Sequence, residues 1–246
     1  MASKNLSMVG HLDEIRKRLI FTLIFFVIIF FIAFMYVEEI YAFLIKDLGT
    51  KLAVLGPGEI LWAYFTIAGL VSLAITIPLL LYQIWAFVAP ALRKKEKHTI
   101  GFYFPVLFIL FCCGIVFGYF VIMPTLLEFI QNLGSGMFIE VFTMQKYFSF
   151  VLTITLPFGI LFMMPAISMM LTSIGIITPA ILITYRKYAF FILVCISALI
   201  SPPDFLSQFV VLIPLVFIYE ISILTAKFSY RKVVRSSVYE SEHTDS

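Results

Sequence analysis

Tyr82-Gln83-Ile84-Trp85-Ala86-Phe87-Val88-Ala89-Pro90-Ala91-Leu92-Arg93-Lys94-Lys95-Glu96-Lys97-His98 is the stretch from which the fold can be read. It closes an uncharged segment of 33 residues, Ile60–Leu92, and passes directly into Arg93, Lys94, Lys95 and Lys97. About 20 apolar residues suffice to cross a hydrocarbon core as a helix, so this one tilts or projects beyond the bilayer. Glu96 sits alone among the four cations, and it has two readings. It either relieves repulsion between its neighbours, or it offers two oxygens to the planar guanidinium of an arginine-bearing partner.

Working outward, the same alternation of apolar runs and basic knots continues along the chain. The sequence is 62% hydrophobic and 13% charged over 246 residues, against about 45–50% and about 25% in soluble domains. It is therefore an all-α integral membrane protein. Apolar runs fall at Leu19–Val37, Ile60–Leu92, Thr99–Leu127, Tyr147–Thr172, Tyr188–Ile200 and Phe205–Ala226. These make six transmembrane helices within one polytopic domain. Residues 1–18 form an N-terminal segment, 19–226 the six-helix region, and 227–246 a partly disordered tail.

Charge sets the orientation. Fourteen of the 17 lysines and arginines lie before span one or after spans two, four and six, and only Lys46, Lys51 and Lys146 lie in the alternate loops. By the positive-inside rule both termini are cytoplasmic and the protein is a multi-pass protein of the cell membrane. The last two helices are expected to be short. Tyr188–Ile200 has 13 residues, and Ser201-Pro202-Pro203-Asp204 forces a turn before a run interrupted by Gln208, Pro214 and Glu220. Gly56-Pro57-Gly58-Glu59 reads as a turn capping the long second span. The first run exceeds the apolar core of a cleavable signal peptide, so it is expected to remain as an anchor.

Function classes narrow by residue type. His11, His98 and His243 all lie outside the spans, so no serine–histidine pair is available at membrane depth, and Cys112, Cys113 and Cys195 have no metal-ligand partner set. No enzyme activity, cofactor, metal or nucleic-acid partner is expected. A solute transporter would show an internal repeat and a midplane substrate cluster, and neither is evident. The polar groups within or beside the spans are Gln83, Glu128, Asp204, Gln208 and Glu220. For Glu220 the bland reading is snorkelling toward Lys227 or Arg231. Glu14 has two readings as well: an i,i+4 pair with Arg18, or one half of an acidic site shared with Glu96.

These residues carry a family resemblance. His11-Leu12-Asp13-Glu14-Ile15-Arg16-Lys17-Arg18-Leu19 is similar to the amino-terminal H-L-x-E-L-R-x-R-L of the TatC family, with Ile15 for Leu. Tyr82-Gln83-x-Trp85-x-Phe87-x-x-Pro90-Ala91-Leu92 with Glu96 resembles its first cytoplasmic loop. Ser201-Pro202-Pro203-Asp204 with Ser207-Gln208, and Ile213-Pro214 with Tyr219-Glu220-Ile221-Ser222, resemble its last two spans. The likeness runs from about His11 to about Lys227. It implies a receptor subunit of the twin-arginine translocase that binds the signal peptides of folded cargo. The implied partners are single-span TatA- and TatB-type subunits, further copies of itself and the lipid bilayer, with the proton-motive force driving export.

Carried onto this sequence, Glu14 and Glu96 would contact the two arginines, with Phe87, Arg16 and Gln83 in the same site. Gln208, Asp204 and Met163 would face partner subunits, and Pro57, Pro90 and Pro202 would set local shape. Met163 is a departure, because the family usually places a glutamate there. A thioether cannot accept a charge-assisted hydrogen bond.

Overall fold

The computed structural model describes the backbone of residues 2–46, 52–88, 94–134, 142–201 and 204–244, and their side chains except at 2–12, 85–86, 88, 94–102, 133–134 and 232–244. Among the described residues the chain is helical throughout, apart from short links. The helices are α1 (Ala2–Met35), α2 (Val37–Ile45), α3 (Pro57–Val88), α4 (Lys94–Phe117), α5 (Met123–Gly134), α6 (Met144–Phe162), α7 (Met164–Ser173), α8 (Pro179–Thr184), α9 (Arg186–Ile200) and α10 (Phe205–Thr244). A π-helical turn, Gly118–Ile122, joins α4 to α5.

Among the described residues, five stretches are long and apolar enough to cross a membrane: Asp13–Met35, Pro57–Ile84, Tyr103–Asn132, Met144–Ser173 and Phe205–Arg231. The chain is a multi-pass membrane protein. The 15 residues of α9 make a helix about 22 Å long, short of a core of about 30 Å.

The last helix corrects an expectation. It was expected to be short, yet α10 runs for 40 residues with Pro214 inside it and stays helical to Thr244, across the stretch read as a disordered tail. Proline deletes one backbone donor, but a membrane helix tolerates that loss where neighbouring groups satisfy the freed carbonyl. No Gly or Pro comes after Pro214, so nothing local stops the helix.

Two compact units divide the Cα packing, where the sequence suggests a single domain: Met1–Arg93 with Phe138–Leu152, and Lys94–Met137 with Thr153–Ser246. In the first unit α1 and α3 meet through an aromatic ladder. Phe65 lies 5.9 Å from Phe30 and 5.6 Å from Phe34, and Tyr64 stands edge-on to Phe34 at 6.1 Å. Offset and edge-to-face rings stabilise such a contact beyond their buried area. In the same unit Ala63, Ile67 and Ala68 are fully buried, and small side chains like the two alanines let membrane helices approach closely.

Glu59 fastens the loops of this unit. Ala53 forms a single parallel bridge to Thr143, with Ala53 N–H donating to the Phe142 carbonyl (2.9 Å) and Met144 N–H to that of Ala53 (3.0 Å). Pro57 opens α3 at its first position, where a missing N–H costs nothing. One turn in, the Glu59 carboxylate accepts from Leu55 N–H at 2.7 Å and Gln145 N–H at 3.3 Å. Glu59→Ala is expected to speed hydrogen exchange at Leu55 and Gln145 several-fold, leaving α3 itself protected. Unchanged exchange at both amides would show that the bridge alone holds the loops.

The second unit is built on close backbone approach. A Cβ on Gly114 would lie 2.5 Å from the Phe158 carbonyl oxygen and 2.8 Å from Gly159 Cα. Phe117 covers the contact, with ring centroids 5.8 Å from Phe158 and 5.2 Å from Phe162. Pro165, at the start of α7, breaks the helix at Met163. Along the α7–α10 contact Ser168 Oγ lies 2.9 Å from the Pro165 carbonyl, 2.8 Å from that of Ser222 and 3.2 Å from Thr225 Oγ1. These hydroxyls satisfy one another where water is scarce.

Candidate functional site

The charged end of α1 and the last turns of α3 build the site, and both belong to the first unit. Helical spacing places Asp13, Arg16 and Lys17 on one side of α1, and Glu14 and Arg18 on another. Arg16 pairs with Asp13 at 2.6 Å and Lys17 does so at 3.3 Å, with the two cations 67% and 73% exposed. Arg16, expected in the site, therefore stands on the solvated face with its own partner.

Arg18 is the hub. Its Nε and Nη2 donate to Glu14 Oε1 at 3.1 and 2.7 Å, and its Nη1 donates across to Gln83 Oε1 on α3 at 2.9 Å. Both of these bonds to the carboxylate land on one oxygen. The Arg18 and Glu14 side chains are 27% and 36% exposed, so water still reaches them.

Beside this network a cleft of about 210 Å³ is lined by Ile15, Leu19, Leu80, Ile84 and Phe87, with Arg18, Thr22 and Gln83 as its polar members. Its walls are almost wholly apolar. A carboxylate bonded to one of the residues that line such a cleft suits a ligand carrying a cation next to an apolar segment.

Four expected residues are thus placed by α1 and α3: Glu14, Gln83 and Phe87 come together, and Arg16 does not join them. Glu96 lies in the first turn of α4, and its side chain is outside the described residues, as are Pro90 and Pro202. The sequence places Arg16 in the site and reads Arg18 only as the i,i+4 partner of Glu14, a pair that the structure does form. The i,i+4 spacing from Glu14 was the available signal, but nothing local indicates that Gln83, 65 residues away, would take the other end of the guanidinium.

The expected partner-facing residues divide. Asp204 caps α10, its Oδ2 accepting from Ser207 N–H at 2.7 Å. Gln208 is partly exposed and donates from Nε2 to the Val194 carbonyl at 3.3 Å. Met163 is 0% exposed and fills the core at the α6–α7 break. That corrects its reading as a partner contact, because a flexible thioether used to fill an irregular gap presents no surface. Glu220 also departs from expectation. It pairs with Arg186 rather than Lys227 or Arg231, accepting from Nε at 2.6 Å and from Nη2 in a two-oxygen fork. That hydrogen bonding raises the Arg186 pKa above its usual value and keeps the guanidinium charged. Tyr219 Oη donates to the Leu182 carbonyl at 2.8 Å beside it.

Comparison with known proteins bears on this arrangement. The family model described as Sec-independent protein translocase protein (TatC) matches residues 10–214. A TatCd protein of Bacillus subtilis is 47% identical over 235 residues, covering 96% of this chain and 97% of that one. TatCy of the same organism is 37% identical over 241 residues, with 96% and 95% covered. A crystal structure of a twin-arginine translocase receptor, TatC, superposes with a TM-score of 0.77 at 36% identity, covering 89% of this chain and 99% of that one.

Proposed function

The chain belongs to the TatC family of Sec-independent protein translocase proteins, and from that premise we propose that it is the subunit that receives twin-arginine signal peptides. The observation that carries this reading is the Glu14–Arg18–Gln83 network, two of whose members, Arg18 and Gln83, line an apolar cleft. A signal peptide offers the matching chemistry, a guanidinium pair followed by an apolar segment. Glu14 and Glu96 grip the guanidiniums, Phe87 and its aliphatic neighbours cover the apolar residues, and no covalent step is involved. A carboxylate discriminates here because arginine presents a planar fork of donors while lysine presents a point charge.

In this reading the chain crosses the cytoplasmic membrane six times, with α9 as the short fifth crossing and both termini in the cytoplasm. The asymmetry of lysine and arginine between alternate loops supports that orientation. TatA- and TatB-type single-span subunits dock near Gln208 and Asp204, and the proton-motive force drives the passage of folded cargo.

The test is a photoreactive amino acid introduced at Phe87 of the membrane-embedded protein, with a tagged signal peptide added. A twin-arginine peptide is expected to crosslink about tenfold more than its twin-lysine counterpart, one lost fork contact being enough for that factor. Equal crosslinking would remove guanidinium geometry from the account.

A further inference from the structure

The ligand proposed above brings an arginine to Glu14, yet an arginine is already there. Arg18 donates twice to Glu14 Oε1 and once to Gln83 Oε1. Its hold on the carboxylate is imperfect, because Nε and Nη2 converge on one oxygen instead of lying parallel to two. The pairing is between residues four apart on one helix, so the backbone fixes their offset and neither can slide freely into a side-on fork. A guanidinium arriving from outside carries no such restriction and can engage both oxygens side-on. A simple helix-stabilising pair has no need of Gln83 from a second helix. Held by that third bond, Arg18 can release Glu14 and still keep a hydrogen-bond acceptor beside the apolar cleft.

We propose that Arg18 is an internal stand-in for the ligand's arginine. It occupies Glu14 in the empty receptor, yields the carboxylate when a guanidinium docks, and stays tethered to Gln83 meanwhile. The inference rests on the receptor reading given above. Its physical content is a threshold. Only the fraction of molecules in which Arg18 has let go of Glu14 can accept the ligand, so the apparent affinity is the intrinsic one scaled by that fraction. Cations that grip Glu14 no better than Arg18 does gain no foothold.

The experiment uses the full chain in lipid nanodiscs and a fluorescein-labelled peptide carrying two adjacent arginines before an apolar run. Association and dissociation rates are read separately. Arg18→Gln is expected to bind about fivefold tighter, the factor that a pair of this exposure can withhold. The gain should appear in the association rate, with dissociation nearly unchanged. Arg18→Lys keeps the charge but not the fork, and should fall between the two. It decides by the same sign if Arg18→Gln fails to insert. Glu14→Gln serves as the control for the site itself and should weaken binding about tenfold.

Unchanged or weaker binding in the Arg18 variants, with Glu14→Gln impaired, would overturn the stand-in role and leave the receptor reading intact. Arg18 would then be a positioning residue that orders Glu14. Undiminished binding in Glu14→Gln would overturn both.

Discussion

Gly114→Ala is expected to leave little folded protein in the membrane, while Gly69→Ala is expected to be silent. The added methyl carbon at Gly114 would sit 2.5 Å from the Phe158 carbonyl oxygen and 2.8 Å from both Gly159 Cα and Phe162 Cβ. Two of those three atoms are backbone, so no rotamer change relieves the clash and α6 must move as a body. Gly159 narrows the escape, since its own position already faces the Phe111 ring at 2.9 Å from an added Cβ. Overpacking typically costs about 1–3 kcal/mol where side chains can give way; a backbone clash places this variant at or beyond the upper end. That is a large share of a total stability of about 5–15 kcal/mol. At Gly69 an added Cβ meets nothing within 4 Å, and alanine is the better helix former. Thermal unfolding of the purified proteins in one detergent compares them directly. A midpoint for Gly114→Ala matching the parent would mean that the helices are not as close as 2.5 Å implies.

Glu14→Lys is expected to abolish export of twin-arginine cargo while the protein remains inserted at its normal level. Reversal removes the acceptor of two Arg18 bonds and sets a second cation four residues from it, on a helix end that already carries Arg16 and Lys17. Breaking one partner of a hydrogen-bonded charge pair in a binding site typically costs about 2–5 kcal/mol, which is about 30-fold or more in affinity. Repulsion between the new lysine and an incoming guanidinium adds to that loss. Exported cargo and membrane-bound receptor are both measured, the first by reporter activity outside the membrane and the second by immunoblot. Glu96→Lys carries the same expectation under the same reading. Normal export from either variant would detach that carboxylate from recognition.

Much of the helical architecture was legible because lipid leaves few alternatives. Apolar runs bounded by Arg18, Arg93 and Lys227 mark helix-forming segments whatever their neighbours are, since backbone groups at membrane depth must be satisfied internally. The small helices α2 and α8 were missed, because nine and six residues leave too little periodicity to read. The length of α10 was misjudged because its extension beyond Ala226 leaves the apolar run and its polar last residues read as a disordered tail. The site was half legible. Glu14 and Gln83 were singled out one at a time, but a contact across 65 residues depends on how α1 lies against α3. The Arg186 partner of Glu220 escaped for the same reason. It lies 34 residues upstream, whereas Lys227 and Arg231 were the cations in view.

The five residues Gly118–Ile122 give this chain slack in one place. Met123 N–H reaches back to the Gly118 carbonyl, so one turn holds a residue more than its neighbours do. Phe120 and Val121 both face outward there, whereas Ile122, Met123 and Leu126 are buried. Removing Phe120 would tighten the loop of backbone to ordinary helical pitch without swivelling α5, and the three inward side chains would keep their seats. The same excision one turn into α5 would turn the remaining helix by about 100° and unseat its later residues.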